Sequence, residues 1–438
     1  MPADMYRHDL ETMSAEERTA LQTQRLAALV ERLRQADTPF WQEKLGDRPA
    51  VTSLDDLQSL PFTEKTEFRD TYPYGMLAVP MDQVVRIHAS SGTSGKPTIV
   101  AYTAGDISVF SEVVARCLSA AGAKPDDVVQ ISYGYGLFTG GLGLHYGVEE
   151  LRATAVPASG GNPAFQVGLM ADAGVTGLAA TPSFTLLLAE RAEEMGLKGS
   201  VHLRWGIHGA EPWSESLREK IETAWGPGYD AIDIYGLSEV IGPGVAAECR
   251  ENKGGLHIHE DHFLPEIVDP ETGEPVEEGE PGELVLTTLT KEAQPVIRYR
   301  TRDITRFLPG PCPCGRTTRR MSRLEGRADD MLIVRGINVY PRAIEEILMS
   351  EPELGPNYAL IVDRRGVMTE LEARVELIEG VLFDDRQVIA ARLQEKLEET
   401  VRLRIPVKVG MPGSIPRTEL GKAKRVFERT SDEDPLLG

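Results

Sequence analysis

Cysteine is scarce in this chain. Only 4 stand among 438 residues, at Cys117, Cys249, Cys312 and Cys314. They are too few and too unevenly spread for a disulfide framework, so a reducing cytoplasm is the expected setting. Long apolar runs are missing as well. No stretch approaches the roughly 18 residues a membrane span requires, and the opening residues are acidic and polar with helical spacing, unlike a secretory leader. Basic residues are outnumbered: 47 Lys and Arg against 68 Asp and Glu give a formal net charge of -21. That balance argues against nonspecific binding to nucleic acid or anionic membrane. It leaves an anionic ligand open, because local loops set the field of a site. The remaining composition, 41% hydrophobic and 26% charged, is that of a soluble globular protein long enough for two or three domains.

What is present is concentrated in loops. Ser90-Ser-Gly-Thr-Ser-Gly-Lys-Pro-Thr98 lies between two β-like runs, Val84-Val-Arg-Ile-His88 and Ile99-Val-Ala-Tyr102. Backbone N–H groups, hydroxyls and the Lys96 ammonium in such a loop suit a polyphosphate. It is not a Walker loop. Ser90 stands where that pattern has its first glycine, and Pro97 replaces the hydroxyl residue that would hold Mg²⁺.

Along the chain, residues 14–36 read as an amphipathic helix with Leu21, Leu26, Leu29 and Leu33 on one side. Thr63 reads as a helix N-cap, and another helix runs from Thr103 through Cys117, a buried small apolar residue, to Ala121. Short strands then alternate with helices. Asp127-Val-Val-Gln-Ile-Ser132 empties into Tyr133-Gly-Tyr-Gly-Leu-Phe-Thr-Gly-Gly141, ahead of a helix over 142–151. Thr154-Ala-Val-Pro157 ends in Ser159-Gly-Gly161. Gly177-Leu-Ala-Ala-Thr181, Leu203-Arg-Trp-Gly-Ile-His208 and Asp233-Ile-Tyr-Gly-Leu-Ser-Glu239 repeat the scheme. Alternation of this kind predicts a mostly parallel, doubly covered sheet, with ligands at the carboxyl ends of its strands. An aromatic followed by glycine, Tyr235-Gly236, offers a flat face for a base, and Glu239 offers a hard oxygen for Mg²⁺. His88 reads as a loop residue and His208 as core-adjacent. From about 256 to 310 the pattern turns strand-rich with Gly/Pro turns, ending in Tyr299-Arg-Thr-Arg-Asp303. A boundary follows near 326–331. Beyond it Pro341 opens a helix, another helix lies near 386–401, and a basic run, Ile415-Pro-Arg-Thr-Glu-Leu-Gly-Lys-Ala-Lys-Arg425, stands close to an acidic tail. The fold class is therefore α/β: a large N-terminal domain, 1–328, with mostly parallel sheets and a β-rich subdomain, and a small α+β C-terminal domain, 329–438.

The order of these motifs resembles the acyl-adenylate-forming superfamily, and the match covers nearly the whole chain. Within it, the chain is similar to the phenylacetate–CoA ligase family at Ile87-His-Ala-Ser-Ser91, at 133–141, at Gly209-Ala-Glu-Pro-Trp213 and at Val334-Arg-Gly-Ile-Asn-Val-Tyr-Pro341. The resemblance implies two half-reactions. An aryl carboxylate attacks the α-phosphate of ATP to give acyl-AMP and pyrophosphate, and the thiol of coenzyme A then displaces AMP. It further implies that Ser90, Ser91, Gly92, Thr93, Ser94, Gly95 and Lys96 hold the β- and γ-phosphates. Gly209, Ala210, Glu211 and Pro212 line the adenine, Tyr235 stacks on it, and Asp233 and Gly236 belong to the same nucleotide site. Glu239 binds Mg²⁺, and Asp303 and Arg327 reach the ribose. Lys422 is the catalytic lysine of the first half-reaction. Asp329 is the hinge of a mobile small domain whose segment near Gly336 serves the CoA step. Tyr135, Gly136, Phe138 and Gly141, with Ala158, Gly160 and Pro182, line the acyl pocket, and no charged residue stands in 131–144, so a neutral aryl group is favoured. Two other functions compete: loading of an aryl acid onto a carrier-protein thiol, and a nucleotide-binding regulator without catalysis, against which Lys422, Glu239 and Asp303 all count. No nucleic-acid or membrane partner is expected, and related enzymes are often homodimers.

Cys312-Pro-Cys314 is a tight Cys-x-Cys turn. With Cys249 and either His257 or His259, which share a strand face, it completes a tetrahedral Zn²⁺ set. Glu248 to His257 reads as a hairpin turning at Gly254-Gly255. Such a site has no open position and would be structural, as in some members of the family.

Overall fold

Short apolar strands separated by amphipathic helices bury both faces only in a covered parallel sheet. A computed structural model describes residues 5–90, 97–211, 213–328, 332–335, 337–366, 369–417 and 423–436. The antiparallel hairpin β1 (Val84–Ser90) and β2 (Thr98–Thr103) flanks the hydroxyl-rich loop. The strands β3 (Val128–Ile131), β4 (Thr154–Val156), β5 (Gly177–Ala180), β6 (Trp205–His208) and β7 (Asp230–Leu237) run parallel in the order β4-β3-β5-β6-β7. The sheet then becomes antiparallel through β8 (Ile241–Cys249) and β9 (Asn252–Ile258). Next in the chain, β10 (Phe263–Val268), β11 (Gly282–Thr288) and β12 (Tyr299–Thr305) form a second, antiparallel sheet. The short strands β13 (Phe307–Leu308) and β14 (Arg320–Met321) return to β9 and bring the large sheet to 9 strands, while β15 (Gly326–Arg327) pairs with β12.

The first long helix, Ala15–Gln35, starts at Ser14, whose hydroxyl and Glu17 cap each other's backbone N–H groups. Its Leu26, Leu29, Val30 and Leu33 are buried in the main core, and the adjoining Gln22 amide donates 2.8 Å to the Glu260 carbonyl. Three local expectations need correction. The helix expected to be capped by Thr63 spans Lys65–Asp70 and is capped by Glu64. Thr63 is instead a bridge to Tyr299, and its hydroxyl donates to the Ile297 carbonyl. The helix expected from 142 starts at Thr139. His88 lies buried inside β1, with Nδ1 3.0 Å from the Leu137 carbonyl, and is not a loop residue.

The C-terminal part opens with the hairpin β16 (Leu332–Val334) and β17 (Ile337–Val339), followed by the helix Pro341–Met349. Four strands, β18 (Leu354–Asp363), β19 (Glu370–Leu377), β20 (Val407–Gly410) and β21 (Val426–Arg429), form a sheet in the order β20-β19-β18-β21. The helix Arg386–Val401 covers it through Ile389, Leu393 and Leu397. This apolar cluster does not stop at the boundary. Trp213, Leu217, Ile221, Tyr229 and Leu186 of the large part pack into it together with Ile344, Leu348 and Leu354.

Candidate active site

The carboxyl ends of the parallel strands are tied to one another by a single tyrosine. Tyr133, just past β3, is buried, and its hydroxyl lies 2.8 Å from the Ala180 carbonyl at the end of β5. It also accepts the Gly209 N–H at 3.0 Å, just past β6. A side chain at Gly209 would stand 2.5 Å from the Ile234 carbonyl of β7, so only glycine passes there. Ala210 follows at φ +71°, a left-handed conformation that aims the next side chain off the strand line.

That next side chain is Glu211. Its Oε1 accepts the Ser183 N–H at 2.7 Å, in the first turn of the helix Pro182–Glu194. Its Oε2 accepts the Ala423 N–H of the C-terminal part at 3.0 Å.

Three residues expected from separate motifs meet one another. Tyr235 of β7 is buried, and its hydroxyl donates 2.6 Å to Asp303 Oδ2 of β12. Arg327 of β15, which lies opposite Asp303 in the register, donates 3.1 Å to the other carboxylate oxygen. Burial, and then the Asp303 charge, push the Tyr235 phenol well above its ordinary value, so it stays a donor. Gly236 is needed as a glycine: a Cβ there would meet the Ile241 carbonyl at 2.5 Å. Asp233 pairs with His208 in the register and faces Arg323 at 3.5 Å.

Glu239 is 3% exposed. Its Oε1 forms an ion pair with the Lys65 ammonium at 3.0 Å. A buried carboxylate is a hard oxygen ligand of the kind a divalent ion takes, and the half-exposed Lys65 would have to swing aside to make room for one. Beneath it, the fully buried Lys291 donates to the carbonyls of Glu239 and Val240 at 3.0 and 2.9 Å, and lies over the Tyr102 ring. Burial pushes its ammonium down to about 8. Neither Lys65 nor Lys291 stood out in the sequence, because each is an isolated lysine in a polar stretch and acts on a loop far along the chain.

Of the residues expected to line the acyl pocket, Phe138 is exposed and Tyr135 half-buried, with the Tyr135 hydroxyl 3.3 Å from His145 Nδ1. Gly136 is exposed, while Ala158 and Gly160 are half-buried. Pro182 is the first residue of its helix and is buried. Gly141 is a packing position: a Cβ would stand 2.5 Å from the Gly134 carbonyl. Ser90 ends β1 and Thr98 opens β2 across from it; among the described residues neither buried hydroxyl has a partner. Ser91, Gly92, Thr93, Ser94, Gly95, Lys96, Pro212, Asp329, Gly336 and Lys422 lie outside the described residues.

The cysteines form a separate centre. Gly315 N–H closes the turn on the Cys312 carbonyl at 3.1 Å. Cys249 Sγ lies 3.5 Å from Cys312 Sγ, and Cys314 Sγ lies 3.5 Å from His257 Nε2. The four ligand atoms are all within 4.8 Å of one another. A tetrahedral zinc with bonds of about 2.3 Å to sulfur and about 2.0 Å to nitrogen sets ligand separations of about 3.5–3.8 Å. The other His257 nitrogen is 3.2 Å from the Thr318 hydroxyl, and the Arg316 N–H donates to Cys314 Sγ at 3.4 Å. A hydrogen bond from Cys249, together with His257, outweighs burial and holds the Cys314 thiol below its ordinary value. His259 is not part of this group; its Nε2 faces Cys117 Sγ at 3.3 Å. The expected turn at Gly254-Gly255 lies instead at Arg250-Glu251, between β8 and β9. Gly255 is inside β9, where a side chain would collide with Leu308.

This architecture, with a nucleotide-type constellation at the strand ends, defines an AMP-binding enzyme. The model of the AMP-binding enzyme family matches residues 14–289, and that of the AMP-binding enzyme C-terminal domain matches 336–430. A phenylacetate-coenzyme A ligase of Escherichia coli is 49% identical, with 96% of each chain covered. One from Thermus thermophilus is 46% identical over 97% of this chain and 99% of its own. The chain belongs to the phenylacetate–coenzyme A ligase family. Among solved structures, 2-hydroxyisobutyryl-CoA ligase in the postadenylation state, with R3-HIB-AMP, superimposes with a TM-score of 0.90 at 27% identity, covering 98% of this chain and 94% of that one. The same enzyme in the thioesterification state gives 0.71, with 96% and 91% covered. The two parts of the present chain are therefore arranged more like the postadenylation form.

Proposed function

We propose that this enzyme ligates phenylacetate, or a close aryl acid, to coenzyme A through an acyl-AMP intermediate, consuming ATP and releasing AMP and pyrophosphate. One observation carries the reading: Tyr235, Asp303 and Arg327, from three separate motifs, form one hydrogen-bonded group at the strand ends of a chain whose full-length relatives are phenylacetate–CoA ligases. In this scheme Asp303 and Arg327 receive the ribose, Tyr235 faces the adenine with Asp233 and Gly236 alongside, and Gly209, Ala210, Pro212 and the Glu211 backbone complete that wall. The hydroxyls and amides of 90–96 hold the phosphates. Lys422 offsets charge between the carboxylate and the α-phosphate, where positioning and electrostatics do most of the work. The small domain, hinged at Asp329, then swings so that the segment near Gly336 meets the CoA thiol. Tyr135, Gly136, Phe138 and Pro182 form the aryl pocket. Glu239 would hold Mg²⁺, which supplies charge to the polyphosphate. Cys249, His257, Cys312 and Cys314 would hold a structural Zn²⁺, a set their spacing fits. A cytoplasmic location suits four thiols that form no disulfide, and a homodimer is the expected assembly. Among the described residues no helix is long and apolar enough to cross a membrane.

The test is AMP formation from ATP with phenylacetate, with and without CoA, beside benzoate and hydroxylated anthranilates. CoA-dependent turnover preferring phenylacetate is expected. Pyrophosphate release indifferent to CoA would move the reading to carrier-protein loading, which the coenzyme A ligases among the relatives count against.

A further inference from the structure

The contacts that join the two parts are reciprocal at two helix starts. From the large part, Glu211 accepts the Ser183 N–H with one oxygen and the Ala423 N–H of the small part with the other. From the small part, the buried Glu345 accepts the Ser214 N–H, at the cap of the helix Glu215–Trp225, at 3.1 Å. The second Glu345 oxygen takes the Tyr358 hydroxyl at 2.6 Å. Between them Arg425 donates 2.9 Å to the Ser183 hydroxyl and lies 4.7 Å over the Tyr358 ring. Ser183 is thus held from both sides, its N–H by Glu211 and its hydroxyl by Arg425.

We infer that Glu211 is a positioning residue for the first half-reaction: its carboxylate catches the small domain by the Ala423 N–H and so fixes the chain directly after Lys422 for adenylation. The inference rests on the proposed function and replaces an adenine-contacting role for this side chain. Its physical basis is simple. Each oxygen accepts one N–H, a helix N-terminus stabilises the charge, and charge-assisted hydrogen bonds are the strong ones. A loosely held lysine costs rate because reaction needs near-attack geometry. Once the small domain has swung away the carboxylate keeps only the Ser183 N–H, within its own part, so the second half-reaction does not depend on its hold on Ala423.

Glu211→Gln keeps the shape and one acceptor but turns an NH₂ group toward a second N–H. Pyrophosphate exchange with phenylacetate is expected to lose about tenfold or more in kcat, with KM for ATP within about twofold. Thioester formation from synthetic phenylacetyl-AMP and CoA is expected to stay within about threefold of the parent. Ser183→Ala, which removes only the hydroxyl that anchors Arg425, is expected to show the same split at smaller size. The inference is overturned if Glu211→Gln lowers both half-reactions by one factor, lowers neither, or raises KM for ATP with kcat unchanged. If the parent enzyme itself makes neither acyl-AMP nor thioester, the proposed function fails, and the variants are not what decided it.

Discussion

His208 shows how one buried side chain makes stability depend on pH. The Ala180 carbonyl, 3.0 Å from Nδ1, can only accept, so Nδ1 carries the proton and Nε2 accepts from the Tyr229 hydroxyl at 2.9 Å. Burial pushes the imidazole down to about 4, against 6.5 for an ordinary histidine. The unfolded chain therefore takes up a proton that the folded one refuses. Stability is lost as pH falls from 6.5 toward 4, by about 3 kcal/mol from this group. His208→Gln should flatten that slope in denaturant titrations at several pH values; an unchanged slope would contradict the assignment. Asp303 has a different task. Its two oxygens serve Tyr235 and Arg327, so Asp303→Ala leaves a phenol and a guanidinium without their shared acceptor. KM for ATP should rise about tenfold or more, the worth of one or two charged hydrogen bonds.

At the scale of elements, the close approaches set the tolerances. The helix Thr139–Glu150 begins against the turn at Gly134, and Gly141→Ala would force the two apart. A loss of about 1–3 kcal/mol is expected by chemical denaturation. The Cys-x-Cys turn ties the segment between β13 and β14 to β8 and β9. Chelation, or Cys312→Ser, should lower the thermal midpoint by more than about 5 °C; elemental analysis without zinc and an unmoved midpoint would remove the metal from the account. These elements also mark what the sequence made legible. Strand and helix alternation is written in local periodicity, so the parallel sheet and the helix at 386–401 could be read directly. The choice of His257 over His259 could not. Both lie on one face of β9 and its extension, and what separates them is a neighbour from another helix, Cys117. The Thr63 cap misled for the same reason: the threonine is taken by a strand more than two hundred residues away. Lys291, Lys65 and the carboxylates of Glu211 and Glu345 act across long separations, where no spacing rule points to them.

For the molecule as a whole, the proposed cycle predicts that Lys422→Ala abolishes acyl-AMP formation while thioester formation from preformed acyl-AMP survives. Equal loss in the two assays would refute the assigned role. The apolar cluster shared by Trp213, Leu217, Ile221, Ile344, Leu348 and Leu354 adds a consequence of another kind. In that cycle, swinging the small domain parts these side chains and wets them. Wetting apolar surface raises heat capacity, and the attraction that resists it weakens on cooling. The docked and swung orientations should therefore trade populations with temperature. Cold should favour departure from the adenylating arrangement, and an Arrhenius plot of the overall rate should bend where one half-reaction hands control to the other.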